Sequence, residues 1–318
     1  MTHHDRPSSL DDLGELTVIG DGGQGVVKRT SRMPGVLYKQ YHAREQLNVV
    51  ELERLIRLVH TDMRPGPDRN LILSSAAWPS GVVLDGGVHC GLTMPEAPDH
   101  FTADIGEARK LRELQFLIFR KKAGWSNLRL PDETQRRALL LRYARLFKAL
   151  HAIDVIIGDV SPRNLLWTIE PEPAVYMLDC DGCRIAGHLP PMPQAQTPDW
   201  ADPDQEVGTA TFDSDRFKLA LLILRVLLVE PKITPVQVAA NSEQLGRLGG
   251  PVAELAVRVA DGERCRAEEW IGALENRPTL TFAPIQPPAP KPGPRREGPE
   301  RPMIPFVSAP RRPPSRST

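Results

Sequence analysis

The chain has 318 residues, 41% of them hydrophobic and 25% charged, enough apolar content to bury the core of one large or two modest domains. Forty basic side chains balance forty acidic ones, so the overall charge points neither to nucleic acid nor to an anionic membrane surface. No apolar run reaches the ~18 residues of a membrane span, and the opening MTHHDRPSSLDDLGEL lacks the layout of a secretory signal, so a cytoplasmic protein is expected.

Residues 1–15 read as a flexible N-terminus. From 16 to 41 short β-rich runs alternate with turns: LTVIG, then GVVKRT, then VLYKQY after SRMPG. This predicts an antiparallel meander. EQLNVVELERLIRLVH (45–60) places Leu52, Leu55, Ile56 and Val59 at helical spacing. Further strands are expected at LILSSAAW, GVVLDG and CGLTMP, before a loop near Pro95 to His100. From about residue 103 the pattern turns helical. ETQRRALLLRYARLFKALHAI is strongly amphipathic, and DSDRFKLALLILRVLLVE is apolar nearly all round, as a helix inside a domain must be. A strand-rich first third thus meets a helix-rich second part at TMPEAP, and no internal repeat is visible.

Residues 284–318 hold seven basic side chains against two acidic ones and 12 of the 32 prolines. That composition cannot pack a core and predicts a disordered Pro/Arg-rich tail over 281–318. Its PPAPKP run has the form of a ligand for an aromatic groove, although a plain solubilising linker is the favoured reading. The four cysteines are too few and scattered for a disulfide framework. Cys180 and Cys183 form a C-x-x-C, but one such pair supplies only half of a structural zinc's ligands, so ordinary buried thiols are expected.

Chemistry concentrates in three stretches. VIGDGGQGVVKRT carries Gly20, Gly22 and Gly25 in a G-x-G-x-x-G spacing, with Gly23 between them and Val27 beyond. Glycines there let backbone N–H groups approach a phosphate. A strand rather than a helix follows, so the motif reads as a glycine-rich hairpin and not a dinucleotide fingerprint. A hairpin over phosphates calls for a cation, and Lys39 in the third strand fits by spacing, whereas Lys28 reads as a surface charge. The lysine needs an orienting carboxylate: Glu51 on the following helix is preferred, with Glu53 open. Finally, VIIGDVSPRNLLW sets Asp159 and Asn164 five positions apart between two apolar runs that each look like a buried strand.

GLTMP, IIGDVSPRNLLW, MLDCDG and DSDRFKLALLIL, in that order after the glycine hairpin and the strand lysine, resemble the protein-kinase superfamily. More closely, they resemble a bacterial branch of kinase-like proteins, some fused to helix-hairpin-helix modules. The resemblance covers about residues 16–280. It implies an α+β, bilobal fold: an N-lobe over 16–96 with a small antiparallel sheet and one helix, and a larger helical C-lobe over 97–280. It also implies an ATP- and Mg²⁺-dependent serine/threonine protein kinase. Gly20, Gly22, Gly23, Gly25, Val27, Lys39 and Glu51 would bind the nucleotide, with Met94 and Glu96 at the hinge. Asp159 would accept the proton of the attacking hydroxyl, while Asn164 and Asp179 would hold Mg²⁺. Asp181 is a second candidate metal ligand, because residues i and i+2 of an extended strand share a face.

TPDWADPDQ resembles the segment closing an activation loop, which implies a buried charge pair between Asp204 and Arg264; Asp215 would brace the catalytic loop. The chain also departs from the pattern. Ile157 and Gly158 stand where His-Arg precedes the catalytic aspartate, so no cationic pocket awaits a phosphorylated loop, and Thr197 is expected to be dispensable. Ser161 replaces a phosphate-contacting lysine, with Arg163 as a nearby substitute, and Leu37 replaces the small residue that admits adenine. The alternatives are a nucleotide-binding pseudokinase scaffold and a small-molecule, aminoglycoside-type kinase. By resemblance alone, a protein substrate, a von Willebrand-type domain protein and a PP2C-like phosphatase are the expected partners in bacterial signalling.

Overall fold

The computed structural model describes residues 9–194, 197–205 and 210–275; residues 1–8 of the expected flexible stretch 1–15, and the whole of the expected Pro/Arg-rich tail 281–318, lie outside them. The described part is a mixed α+β structure built on a five-stranded antiparallel sheet and several helices. The predicted meander is β1 (Leu16–Asp21), β2 (Gly25–Thr30) and β3 (Val36–Tyr41), joined by β4 (Gly81–Asp85) and β5 (Val88–Pro95) in the order β1-β2-β3-β5-β4. Lys39 therefore lies on the central strand, opposite Val27 on one side and Leu92 on the other.

α1 (Val49–Arg57) starts where the Asn48 side chain accepts from the Glu51 N–H at 3.3 Å, satisfying one of the free donors of the first turn. Leu52, Leu55 and Ile56 are buried on one face, as their spacing predicts. LILSSAAW is a correction: α2 (Pro67–Ser75) is a helix opened by Pro67, and only Ala76 makes an isolated bridge to Met177. Pro at the first helical position is pre-set for helix, and periodicity alone does not separate a short apolar run of strand from one of helix.

A second difference concerns residues 102–111, where a helical pattern was expected. β6 (Thr102–Ile105) and β7 (Ala108–Leu111) form a hairpin there, followed by the short α3 (Gln115–Ile118). α4 (Glu133–His151) begins at a reciprocal cap between Asp132 and Gln135 and buries a continuous apolar face. Two short antiparallel pairs follow: β8 (Val155–Ile156) with β11 (Arg184–Ile185), and β9 (Leu165–Thr168) with β10 (Ala174–Met177). The two apolar runs around Asp159 are thus strands, as their composition suggested.

α5 (Phe212–Leu228) is buried along almost its whole circumference. α6 (Pro235–Ala239), α7 (Ser242–Leu248), α8 (Gly250–Ala260) and α9 (Ala267–Leu274) complete the described residues. The larger core cluster gathers α4, α5, α8 and α9 around Phe147, Leu222 and Trp270. A smaller one lies where the sheet and α1 meet β9 and β10, through Leu52, Ile56, Leu92, Leu166 and Tyr176. Among the described residues no helix is long and apolar enough to cross a membrane. All four cysteines are buried and unpaired, and burial pushes the Cys180 and Cys183 thiols well up.

Candidate functional site

The glycine hairpin owes only part of its composition to its own packing. At Gly25 an added Cβ would stand 2.3 Å from the Gln40 carbonyl oxygen of β3, so strand pairing itself demands glycine. At Gly20 and Gly23 a Cβ would meet nothing within 4 Å, and neither has a positive φ. These two glycines keep space open rather than relieve strain. The space is a cavity of about 370 Å³ lined by the hairpin from Gly20 to Gly25 together with Lys39, Asp159, Asn164 and Asp179. The residues singled out from three separate stretches of sequence therefore surround one volume.

A second cavity of about 510 Å³ adjoins it and shares Gly20, Val27, Leu178 and Asp179; its walls include Leu37, Ala77 and Met94. Leu37 narrows this apolar slot from β3 without closing it. Glu96 stands at its mouth, where both carboxylate oxygens accept from Arg29 Nε at 3.1 and 3.2 Å. Its backbone N–H donates to the Gly35 carbonyl at 2.9 Å.

Lys39 is 3% exposed. Its Nζ lies 2.9 Å from the Asp181 carboxylate and 3.4 Å from Asp179 Oδ1. Burial opposes the charge on this ammonium, but the two carboxylates outweigh it and raise its pKa. Asp181 Oδ2 also accepts from the Tyr41 hydroxyl at 2.8 Å. Asp179 has φ +52° and ψ +40°, in the left-handed region, and residues 180–182 form a single 3₁₀ turn. The extended geometry expected for Asp179 and Asp181 is thus corrected: the chain turns at Asp179, and Asp181 goes under β3 instead of beside Asp179. Burial pushes the Asp179 carboxyl up, while the Lys39 ammonium pulls it down.

Glu51 requires a further correction. It is not the partner of Lys39: its carboxylate lies 3.5 Å from Arg54 Nε and 3.5 Å from His188 Nδ1, and Glu53 is exposed. The acid that reaches the lysine comes from the turn after β10, a connection that no periodicity in α1 reveals.

Asp159 accepts from Asn164 Nδ2 at 3.0 Å through Oδ2 and from the Thr197 hydroxyl at 2.8 Å through Oδ1. Thr197, expected to be dispensable, thus touches the candidate base. Because the Asn164 NH₂ is committed to Asp159, the amide oxygen is the atom left to meet a cation. The Ser161 hydroxyl accepts from the Asn164 N–H at 3.3 Å, and exposed Arg163 lines the same cavity as Asp159.

The loop is clamped from α5. Asp215, fully buried, accepts from the Ile157 N–H at 2.7 Å and the Gly158 N–H at 3.0 Å, as the bracing expectation requires. Lys218 one turn on donates to the Gly158 carbonyl at 2.5 Å, and burial lowers its pKa. Gly158 itself has φ +79°, a conformation that strains any residue with a Cβ and favours glycine.

Arg264 does contact Asp204, Nη2 to Oδ2 at 2.6 Å, but Asp204 is 73% exposed. The buried acid is Asp202, 3% exposed, which takes Arg264 Nε at 2.8 Å and Nη2 at 2.6 Å. The expected charge pair is therefore shifted by two residues. Sequence reasoning also missed Tyr41 and Lys218. Two signals were present: Tyr41 stands at i+2 from Lys39, on the same strand face, and Lys218 stands at i+3 from Asp215, within reach on the same side of the helix.

The donor set suits magnesium better than a protein-caged metal. Among the described residues no group of three or more His, Cys, Asp or Glu is gathered as a metal site, and Asn164 with Asp179 offers two oxygen ligands at the cavity wall. Mg²⁺ is held in this way, by one or two protein oxygens with phosphates and waters completing the octahedron. No protein-family model matches the chain, and no curated protein matches it either.

Proposed function

We propose that the chain is a protein-kinase-like phosphotransferase that moves the terminal phosphoryl group of Mg·ATP to a serine or threonine hydroxyl of a protein substrate. The observation that carries the reading is the joint lining of one cavity by the glycine hairpin, Lys39, Asp159, Asn164 and Asp179. On this reading 16–96 is the N-lobe and 97–280 the C-lobe, Met94 to Glu96 is the hinge, and the apolar slot beside Leu37 takes the adenine. The setting is bacterial signalling in the cytoplasm, with a von Willebrand-type domain protein and a PP2C-like phosphatase as partners.

Phosphoryl transfer asks for in-line placement and neutralisation of phosphate charge rather than for covalent chemistry from the protein. Lys39 meets non-bridging phosphate oxygens under the hairpin, whose open glycines let backbone N–H groups approach. Asn164 Oδ1 and Asp179 would hold Mg²⁺, which would supply neutralisation of phosphate charge. Asp159 aligns the acceptor hydroxyl and takes its proton as the oxygen–phosphorus bond forms and the bond to the ADP oxygen breaks. Asp215 and Lys218 keep the Asp159 loop in register through Ile157 and Gly158. Arg163, exposed beside Asp159, supplies a cation near the transferred group where Ser161 cannot.

Two features favour a second reading, a nucleotide-binding scaffold without transfer: Asp159 is already engaged by Thr197 and Asn164, and Ser161 is uncharged. A small-molecule kinase is disfavoured by the Asp202–Arg264 anchor, which belongs to a substrate-binding segment such enzymes do not need. Incubation of the protein with γ-labelled Mg·ATP and generic protein substrates, beside Asp159→Asn and Asp179→Asn, separates the readings. Transfer abolished in both variants supports the kinase; nucleotide binding with no transfer supports the scaffold; absence of nucleotide binding sinks both.

A further inference from the structure

We propose that Asp181, locked by the Tyr41 hydroxyl, is the carboxylate that positions Lys39 for phosphate, so that α1 is not needed to hold the lysine. The inference rests on the phosphate-binding reading for its functional meaning. Its geometric content stands on its own.

Lys39 and Tyr41 are two residues apart on β3 and so project from one face of the sheet. Both end on the same acid: the Asp181 carboxylate lies 2.9 Å from Nζ, and its Oδ2 is 2.8 Å from the tyrosine hydroxyl. Asp181 is 1% exposed and Tyr41 2%, so these two lie beneath the cavity wall to which Lys39 itself belongs. A buried carboxylate is tolerated when charge and hydrogen bonds meet both of its oxygens, and here they do. The left-handed turn at Asp179 makes this possible: it reverses the chain after β10, so that Asp179 stays on the cavity wall while Asp181 drops below. Two acids two residues apart in sequence thereby divide the work. Asp179 faces the cavity as a metal ligand, and Asp181 is a positioning residue.

The helix acid has other company. Glu51 lies against Arg54 and His188, and the segment leading away from His188 is itself pinned. The Pro191 carbonyl accepts from the Asn48 N–H at 2.8 Å, the Pro193 carbonyl accepts from Gln24 Nε2 at 2.9 Å, and Met192 is buried in the smaller core cluster. Glu51 serves the contact between α1 and that segment. The lysine is held by the acids of the turn after β10, Asp181 at 2.9 Å and Asp179 at 3.4 Å, and not by the acid on α1.

The test has two arms, run on the full chain. In the first, nucleotide-free protein is pulse-labelled at fixed pH with an amine-acylating ester, and Lys39 modification is read by peptide mass spectrometry, with exposed Lys148 on α4 as internal control. Freed from its partner, the side chain leaves the triad, gives its proton to solvent, and as the neutral amine attacks the ester carbonyl and expels the ester's leaving group. Asp181→Asn is expected to label at Lys39 at least tenfold faster than wild type and Tyr41→Phe severalfold faster, whereas Glu51→Gln stays within twofold and Lys148 is unchanged throughout. In the second arm, calorimetric titration with Mg·ATP is expected to show affinity lowered at least tenfold by Asp181→Asn and altered less than twofold by Glu51→Gln. If Glu51→Gln accelerates Lys39 labelling or weakens nucleotide binding as much as Asp181→Asn does, the proposal is overturned. Should Asp181→Asn fail to fold, Tyr41→Phe against Glu51→Gln gives the same contrast, and equal labelling in those two rejects it. Wild-type protein that binds no nucleotide, with Lys39 labelling still governed by Asp181, would reject the phosphate-binding reading while leaving the triad intact.

Discussion

Replacing Asp202 by alanine removes a carboxylate that is 3% exposed and that accepts two hydrogen bonds from Arg264, at 2.8 and 2.6 Å, and one from the Asp204 N–H at 3.1 Å. Taking one partner from a buried ion pair costs about 3–5 kcal/mol, because the other charge is left without compensation. Arg264 is 11% exposed and keeps its contact to Asp204 at 2.6 Å, which sets the expected loss at the lower end, about 3 kcal/mol. Near the midpoint of a thermal transition, ~3 kcal/mol lowers Tm by roughly 6–12 °C for a domain of this size. Asp204→Ala removes an acid that is 73% exposed, and surface pairs contribute about 0–1 kcal/mol. Urea unfolding followed by far-ultraviolet circular dichroism, with equal m-values required across the set, measures both losses. In the Asp202→Ala/Arg264→Ala double variant the combined loss is expected to fall short of the summed single losses by about 2 kcal/mol. Equal losses for Asp202→Ala and Asp204→Ala, or a larger one for Asp204→Ala, would refute the assignment of Asp202 as the buried anchor.

Thr197→Ala, which deletes the hydroxyl on Asp159, is expected to lower kcat in the transfer assay about tenfold, the equivalent of ~1.4 kcal/mol of lost charge-assisted hydrogen bonding. Thr197→Glu should be inactive, since it sets a second anion against Asp159; full activity in either variant contradicts the contact. Burial raises the Glu113 carboxyl above its ordinary value of 4.5, with Arg163 and the Gln115 amide acting in the opposite direction. The folded chain then holds this proton more tightly than the unfolded one, so the group favours the fold below about pH 4.5 and that contribution is lost as pH rises through the raised value. Glu113→Gln is expected to flatten the fall in stability between pH 4.5 and 7, and an unchanged profile counts against the shift. Native alkylation at pH 8 should leave all four thiols unmodified for hours, because each is buried and burial pushes Cys265 up to about 11. Rapid modification of Cys180 or Cys183 would revive a redox or metal role for the C-x-x-C.

Much of the site was legible in the order of its parts. The glycine spacing, the strand after it, Lys39 on the third strand, and Asp159 with Asn164 between two apolar runs each follow from local rules of turn, strand and burial. Those rules act over a few residues, and the corresponding elements form where they were expected. Asp215 came instead from the family resemblance, and its hydrogen bonds to the Ile157 and Gly158 N–H groups agree with the bracing role the resemblance implied.

What the sequence by itself determined, then, is which residues have chemistry to offer and which elements carry them. What only the tertiary structure decided is which acid meets which cation. Lys39 joins Asp181 across 142 positions of chain and not Glu51, twelve positions on, because a left-handed turn at Asp179 swings the second acid beneath the sheet. Arg264 takes Asp202 inside and leaves Asp204 at the surface for the same reason: a charge chooses its partner by desolvation and three-dimensional reach, and neither quantity is a function of spacing along the chain.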